Sequence, residues 1–255
     1  MRETGTEDEP GAALAAGPGR AGRDLRALPM AELHLHLLGA MRPATLSELA
    51  AQAGRQAPDP RAFTTFAEFQ AVFAAAAAVT QTRLANLLRL VREVVADAAA
   101  DGVVRVQPHF DPHLYPQFGS PQRVMELVLA EGLAAGARHG VGFGVTVAAM
   151  RHRGPERAED LARFAAAYAG QGACALGLTG DEAAFPPGPF ARAFAIAAEA
   201  GLAAARTPGS WPGRSASGRR WSCLAPPASP TACARPRTPR SSMTWPGGTS
   251  PWTCA

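Results

Sequence analysis

An alternation of short apolar segments with longer helical patterns, repeated four times between residues 31 and 202, restricts the fold more than any other feature of this chain. Strands that are joined by a dozen or more residues, with a helix in the connection, are typical of a parallel sheet. The predicted strands lie within Ala31–Pro43 and at Val103–Val106, Val141–Ala149 and Ala173–Leu178. The predicted helices are Leu46–Ala53, Phe66–Val79, Arg83–Ala100, Pro121–His139, Glu156–Ala169 and Pro189–Leu202. The pattern therefore predicts an α/β domain with a parallel sheet.

The two ends of the chain differ from this alternating region. Residues 1–27 are rich in Gly, Ala and charge without periodicity, which predicts a disordered leader. Residues 203–255 hold all four tryptophans, three of the four cysteines and nine prolines, and proline at this density opposes helices and central strands. All 21 acidic residues lie at or before Glu199, whereas seven arginines follow it. We therefore predict an ordered region at 28–202 and an irregular basic tail at 203–255.

Two histidines, His34 and His36, stand two residues apart on the first predicted strand. Strand side chains repeat every second residue, so both imidazoles face the same side. An isolated pair is compatible with two satisfied histidines on a half-buried strand, but paired imidazoles can also begin a metal site. A catalytic zinc takes about three protein ligands and a water. Further ligands must therefore come from other segments, and the chain has no histidine after His152.

The residues that follow the pair favour the metal interpretation. The strand continues directly into Gly39 and the loop residues 41–43, as strands do at the carboxyl end of an α/β barrel, where active sites lie. A (β/α)₈ barrel contains eight such units, and only about four are visible in this sequence. The prediction is the first half of a TIM-type barrel, followed by the irregular tail.

Segments at both ends of the ordered region resemble the adenosine and adenine deaminases, a family of metal-dependent amidohydrolases. ALPMAELHLHLLGAMRPATL is similar to the first strand of that family, and LGLTGDEAAFPPGPFARAF, at 176–194, resembles its Gly-Asp-Glu loop. DGVVRVQPHFDPHLY resembles the second strand and its loop more loosely. The resemblance covers about residues 28–202.

This resemblance implies zinc-dependent hydrolytic deamination of adenosine, adenine or a related aminopurine, with one divalent ion as the cofactor. The ion makes its bound water acidic enough to attack the purine carbon that carries the amino group. By position, the resemblance implies His34 and His36 as zinc ligands, and His36, Gly180 and Leu38 as substrate-binding residues. The general acid and the other ligands of the family have no counterpart in this chain. No catalytic residue is therefore identified, and we expect the chain to be inactive.

Three positions depart from the family pattern. The family usually has Asp or Glu immediately before the glycine, where Leu38 stands in this chain. A leucine cannot accept a hydrogen bond from a ribose hydroxyl, which leaves adenine or a modified purine nucleoside as candidate substrates. Gln107 and His109 stand where the family often has an acidic and a basic residue.

Other polar candidates receive structural interpretations. His109 and His113 are separated by Pro112, which opposes a shared helical face, and we predict that both lie in a loop, with a place in the lining of the pocket as the alternative. Asp181 and Glu182 are neighbours at a strand end, where successive side chains point to opposite sides. We therefore expect a loop or helix-start role for these acids instead of paired acid–base chemistry.

A shift of reading frame explains the composition of the tail. Permitted codons for Arg206–Gly213, read from the third base, encode a His-Ala-Gly-Glu segment, and such a segment carries a metal ligand and the general acid in the deaminase family. The same offset at Ala228–Cys233 yields a His-Gly pair, which also resembles the family pattern. Back-translation is degenerate, so we state a hypothesis: residues 203–255 are translated out of frame. The nucleotide sequence tests it.

Two alternatives stay open beside the deaminase. Arginines interleaved with tryptophans in the tail could neutralise phosphates and stack on bases, which would make the tail a binder of single-stranded nucleic acid. A non-catalytic relative could instead retain the fold for association. We rank the deaminase first, with a small-molecule purine or purine nucleoside as its partner and neither nucleic acid nor membrane expected. Because the sequence shows no secretory signal and no apolar run of ~18 residues, we expect a cytoplasmic protein.

Overall fold

The computed structural model describes residues 28–57 and 65–206, which form one parallel sheet with helices packed against it. The strands are β1 (Met30–His36), β2 (Val103–Phe110), β3 (Gly142–Phe143), β4 (Val145–Met150), β5 (Ala173–Thr179) and β6 (Ala203–Arg206). The helices are α1 (Pro43–Gln52), α2 (Phe66–Thr80), α3 (Leu84–Ala100), α4 (Pro121–His139), α5 (Pro155–Ala167) and α6 (Ala191–Glu199). The predicted leader and the tail beyond residue 206 lie outside the described residues.

The strands lie in the sheet in the same order as in the chain, as they do in an α/β barrel. Its order is β1-β2-β4-β5-β6, with β3 pairing β2 just ahead of β4, and every pair is parallel. Helices separate the successive strand positions, so all strands end at the same edge of the sheet. This is the first part of a (β/α)₈ arrangement, which confirms the predicted α/β half-barrel.

Two predicted strands have different bounds in the structure. β2 continues beyond the predicted end at Val106 to Phe110. The predicted strand Val141–Ala149 is divided into β3 and β4 at Gly144, where the N–H donates to the carbonyl of Val106. A Cβ at Gly144 would collide with the sulfur of Cys174, so the strand passes β5 closely at this point.

The boundary that we predicted after Leu202 falls too early. β6 occupies Ala203–Arg206, and it pairs with β5 from Ala175–Ala203 to Leu178–Arg206. The sheet therefore continues for four residues into the segment assigned to the irregular tail. A run of alanines has no alternation of apolar and polar side chains, so its strand conformation depends on backbone pairing and leaves no period in the sequence.

Helix α4 shows how local sequence sets the elements. The hydroxyl of Ser120 accepts the N–H of Arg123 at 3.2 Å, and Pro121 occupies the first turn, where its missing N–H costs nothing. Gly140 ends the helix with a left-handed φ of +70°. These signals lie at both predicted ends, and the predicted helix Pro121–His139 is confirmed.

Helix α3 seals the sheet against solvent through one apolar face. Its buried residues recur with helical spacing: Leu87, Leu90, Val91, Val94, Val95 and Ala98. They share one core with Val106 of β2 and Val145 of β4. Each buried Leu or Val side chain contributes about 1.5–3 kcal/mol relative to an exposed one. This packing fixes β2 in the sheet and therefore fixes the loop that follows it.

Gly132, in the interior of α4, lies against the ring of Phe143, and a Cβ at this position would collide with that ring. A Gly→Ala change in an exposed helix interior raises the free energy of unfolding by about 1 kcal/mol. Gly132→Ala is instead expected to lower the free energy of unfolding by about 1–3 kcal/mol, because the added methyl overpacks the core. Urea denaturation measures the change, with the exposed neighbour Leu133→Ala as the control. A stability gain at Gly132 would contradict the close packing of α4 on β3.

The apolar helices were also compared with the requirements of a membrane span. Among the described residues, no single helix has both the length and the apolarity to cross a bilayer, although the pair Ala67–Thr80 and Leu84–Ala100, bent by 113°, meets the criterion together. The buried face of α3 described above is typical of a core helix, which meets the same criterion.

Candidate metal centre

Three histidines meet at the carboxyl ends of β1 and β2. His34 and His36 lie on β1, and His109 lies on β2, where it pairs with His36 in the strand register. The N–H of Leu37 donates to the carbonyl of His109 at 3.2 Å, so the two strand ends are hydrogen-bonded beside the rings. Parallel pairing thus brings an imidazole from a distant segment to the predicted His34/His36 pair.

The three imidazoles form a compact group, which we call the histidine cluster (His34, His36 and His109). Their ring centroids are 5.6 Å apart for His34 and His36, 4.4 Å for His34 and His109, and 4.9 Å for His36 and His109. One ring nitrogen from each residue lies within 4.8 Å of the others. His109 is only 4% exposed, His36 is partly buried and His34 is exposed. The cluster is therefore closed at its base and open to solvent at His34.

Burial favours the neutral form of two of these imidazoles. Desolvation, together with the adjacent His36 and His34, lowers the pKa of His109 to about 3. Desolvation and the proximity of His34 also lower the pKa of His36. Metal ions bind the neutral imidazole, so these two rings are in the ligand form at neutral pH without losing a proton.

His109 is buried without hydrogen bonds from its ring. Within the described part of the chain, neither ring nitrogen has a hydrogen-bond partner. An unsatisfied buried polar group costs about 1–3 kcal/mol. The ring nevertheless fits a shaped space, because a Cβ at Gly177 of β5 would lie 3.0 Å from its Nδ1 and 3.1 Å from its Cε1. Gly177 and Thr146, the partner of His109 on β4, form the floor beneath the ring.

The cluster fits a divalent transition metal. Imidazole nitrogen is a preferred ligand of zinc and its neighbours in the first row. In a tetrahedral zinc site with Zn–N bonds of 2.0–2.1 Å the nitrogens are about 3.4 Å apart, so modest ring rotations would close this group on an ion. The open side at His34 leaves room for a water ligand. Among the described residues, no carboxylate belongs to the cluster.

The prediction that His109 lies in a loop was wrong. β2 continues through Pro108, opposite a register shift of β1 between Glu32 and Leu35, and this irregularity accommodates a residue that cannot donate to a ladder. The signal that sequence reasoning missed is the alternation of polar residues Gln107 and His109 directly after the predicted strand. Extending the predicted strand by three residues would have placed His109 at its carboxyl end.

His113 behaves as predicted and stays in the loop. Its backbone N–H and its Nδ1 lie 2.9 and 3.1 Å from the carboxylate of Asp111, and its ring meets Phe164 edge-on at 5.1 Å. It lies in the short 3₁₀ turn Pro112–Leu114 and is not part of the histidine cluster.

An open cleft with a cavity volume of about 40 Å³ lies beside the cluster. Most of its wall is apolar, and the polar groups are few. Its lining residues are His36, Leu37, Leu38, Phe73, His109, Phe110, Asp111, Leu114, Tyr115, Ala148, Met150 and Thr179. An apolar cleft with a few convergent polar groups is the usual form of a small-molecule site.

Two of the three substrate-binding residues predicted from the sequence line this cleft. His36 and Leu38 line it, and Leu38 presents a buried apolar side chain. Gly180 is not among the lining residues, whereas its neighbour Thr179 is. Gly180 adopts a φ of +104° at the end of β5, a conformation that side chains rarely adopt. Its predicted contact with substrate stays a prediction.

A buried ion pair anchors the loop after β5. Arg151 and Glu182, with side chains 1% and 5% exposed, place Nη2 and Oε1 3.7 Å apart. Arg151 Nη1 also donates to the carbonyl of Phe185 at 3.0 Å. Asp181 accepts the N–H groups of Ala183 and Ala184 at 2.9 and 3.2 Å. The loop role predicted for Asp181 is confirmed, and no motif in the sequence indicated Arg151.

The sequence was compared with known proteins. The model of the family described as adenosine deaminase matches residues 29–215. An adenine deaminase of Bordetella avium is 33% identical over 189 residues, which cover 71% of this chain and 59% of that protein. An adenosine deaminase of Mycobacteroides abscessus is 36% identical over 179 residues, which cover 62% of this chain and 48% of that protein. The chain spans between 48% and 59% of the length of eight curated relatives that it matches.

Solved structures show the same fold. The adenine deaminase of Arthrobacter aurescens superposes with a TM-score of 0.64 at 28% identity, over 77% of this chain and 62% of that one. An amidohydrolase of Burkholderia ambifaria, solved with bound Zn, superposes with a TM-score of 0.59 at 27% identity, over 72% of this chain and 53% of that one.

Proposed function

Because the chain belongs to the adenosine deaminase family, we propose that its His34/His36 pair is the metal-holding part of a zinc-dependent hydrolytic deaminase, which acts on adenosine, adenine or a related aminopurine. The observation that carries this proposal is the meeting of three imidazoles at the carboxyl ends of parallel strands, beside an apolar cleft. The edge of the sheet at which they meet is the edge where barrel enzymes place their active sites.

In this proposal His34 and His36 hold the ion. The chemistry that zinc would supply at this position is a large lowering of the pKa of water, which provides a nucleophile at neutral pH. Because the pKa of His36 is lowered, this ring stays neutral and able to bind a metal at pH values somewhat below the ordinary pKa of histidine. The apolar wall, to which Leu37 and Phe110 contribute, shields one side of the site from water and strengthens electrostatic interactions on that side.

The cleft favours a purine base over a ribose at the position of Leu38. This side chain is 8% exposed and presents only methyl groups to the cleft. A flat heterocycle gains from apolar contact, whereas a ribose hydroxyl that loses water there would find no acceptor from this side chain. Adenine, which carries no ribose, is therefore our preferred substrate, ahead of a modified purine nucleoside.

We further propose that the chain as written does not complete the reaction. Deamination requires an acid that protonates the purine ring nitrogen beside the attacked carbon. Asp111 is the carboxylate among the lining residues of the cleft, and His113 already engages it through two contacts. The acid of the family belongs to the downstream frame in our reading-frame hypothesis.

Deamination assays with zinc test the proposal. Ammonia release from adenine and adenosine is measured for the 255-residue chain and for a version with the downstream frame restored. We expect turnover from the restored version alone, and loss of that turnover in His34→Ala and His36→Ala. His139→Ala, at the exposed end of α4, serves as the control. Turnover by the 255-residue chain that depends on His34 and His36 would contradict the proposed inactivity, and a restored version without zinc-dependent turnover would contradict the deaminase assignment.

A further inference from the structure

We propose that His109 is a third ligand of the same ion, so that β1 and β2 alone close a three-histidine site. The inference rests on the proposed function, because it concerns the ion which that function requires. It goes further in one respect: the described part of the chain would hold a divalent ion without any residue beyond 206. The resemblance implied only His34 and His36 as ligands.

The distances between the three rings are the first observation that supports His109 as a ligand. The ring of His109 is nearer to His34, at 4.4 Å, and to His36, at 4.9 Å, than those two rings are to each other, at 5.6 Å. The three rings therefore form a compact triangle, with His109 at its buried corner. The strand register aligns His109 with His36, and the hydrogen bond from Leu37 N–H fixes the backbone on the same level.

The second observation is that the buried ring of His109 makes no hydrogen bond within the described residues. Buried polar side chains in native proteins nearly always have partners. Both ring nitrogens of His109 lack one within the described residues, and so does the hydroxyl of Thr146 on the neighbouring strand. An apolar residue would fill this space without that penalty, which argues that the ring nitrogens serve a ligand.

The third observation concerns Gly177, which positions the His109 ring. It lies on β5, and a Cβ there would approach Nδ1 and Cε1 of His109 to 3.0 and 3.1 Å, which is closer than ordinary van der Waals contact. The same Cβ would lie 3.0 Å from a methyl group of Thr146. The absence of a side chain at Gly177 therefore allows the His109 ring to reach the base of the cluster.

The test is metal binding by the metal-free 255-residue chain. Zn²⁺ affinity is measured by calorimetry, and Co²⁺ is the spectroscopic probe, because tetrahedral cobalt absorbs strongly in the visible region. Three imidazoles and a water give such a tetrahedral centre. His109→Leu is expected to weaken Zn²⁺ binding by more than about 100-fold, beyond the usual effect of residues that only support a ligand. His113→Leu, a nearby histidine outside the cluster, is the matched control and should bind like the parent chain.

Two further variants separate ligation from folding. His109→Leu removes unsatisfied buried nitrogens, so its metal-free thermal midpoint should equal or exceed that of the parent, while its cobalt spectrum loses tetrahedral intensity. Gly177→Val should weaken binding by about 10- to 100-fold through displacement of the ring, as expected for a supporting residue. Gly177→Ala should lie between Gly177→Val and the parent.

The outcomes distinguish this inference from the proposed function. Loss of binding in His109→Leu with retained stability supports the three-histidine site. If His34→Ala and His36→Ala abolish binding while His109→Leu binds like the parent, the inference is wrong and the proposed function stands. If the parent chain binds neither Co²⁺ nor Zn²⁺, the self-sufficient site is wrong, and the deaminase assignment still depends on the turnover assay of the restored version.

Discussion

Replacement of Arg151 by methionine is expected to lower the free energy of unfolding by about 3–5 kcal/mol, because removal of one partner leaves the other charge buried. Arg151 is 1% exposed, and its partner Glu182 is 5% exposed. The change also removes the hydrogen bond to the carbonyl of Phe185, which holds the loop after β5. Urea denaturation at pH 7 measures the loss.

Two companion variants interpret the result. Arg163→Met removes exposed ion pairs with Glu159 and Asp160, so its effect should stay within about 1 kcal/mol. In the double variant Arg151→Met/Glu182→Gln a neutral amide replaces the buried carboxylate. Part of the stability lost in Arg151→Met should therefore return. Equal effects of Arg151→Met and Arg163→Met would show that burial does not govern the pair.

Raising the pH from 8 to 11 is expected to lower the stability of the chain through Tyr115. Burial raises the pKa of Tyr115 to about 12, the hydroxyl of Thr80 partly offsets this by hydrogen bonding, and Asp111 adds to it. Above pH 10 the unfolded chain releases the phenolic proton while the folded chain keeps it, so stability falls as the pH rises through this window. The loss from this one group is about 1.4 kcal/mol at pH 11.

The composition of the chain makes this alkaline effect measurable. The chain contains no lysine and two tyrosines, so apart from its four cysteines few groups titrate between pH 9 and 11. Tyr115→Phe should remove most of the loss in urea denaturation at pH 8, 10 and 11. Tyr168 is half-buried, and burial and the nearby Glu126 also raise its pKa, so Tyr168→Phe should recover only the smaller part of the loss. A parent-like pH dependence in Tyr115→Phe would rule out the buried phenol as its cause.

The two parts of the histidine cluster differ in how far the sequence could predict them. His34 and His36 share a face because they are two residues apart in one strand, and this follows from local geometry alone. His109 joins them through strand pairing with a segment far along the chain. Pro108 and the register shift opposite it hide the end of β2 from local patterns, since proline ordinarily opposes an inner strand.

The fold divides in the same way. The predicted helix Pro121–His139 is confirmed because Ser120, Pro121 and Gly140 supply local start and stop signals. The strand β6 is an alanine run whose conformation depends on pairing with β5, so no local signal marked it. The Arg151–Glu182 pair joins the segments that follow β4 and β5; Glu182 belongs to the Gly-Asp-Glu segment, but no motif marked Arg151 as its partner.

The sequence by itself determined the order of strands and helices, the parallel sheet and the shared face of His34 and His36, because periodicity and capping act within a few residues. Only the tertiary structure decided that His109 completes the cluster, that Gly177 makes room for its ring and that Arg151 anchors the loop after β5. These contacts join residues that are distant along the chain, and strand register and core packing, which no local pattern encodes, bring them together.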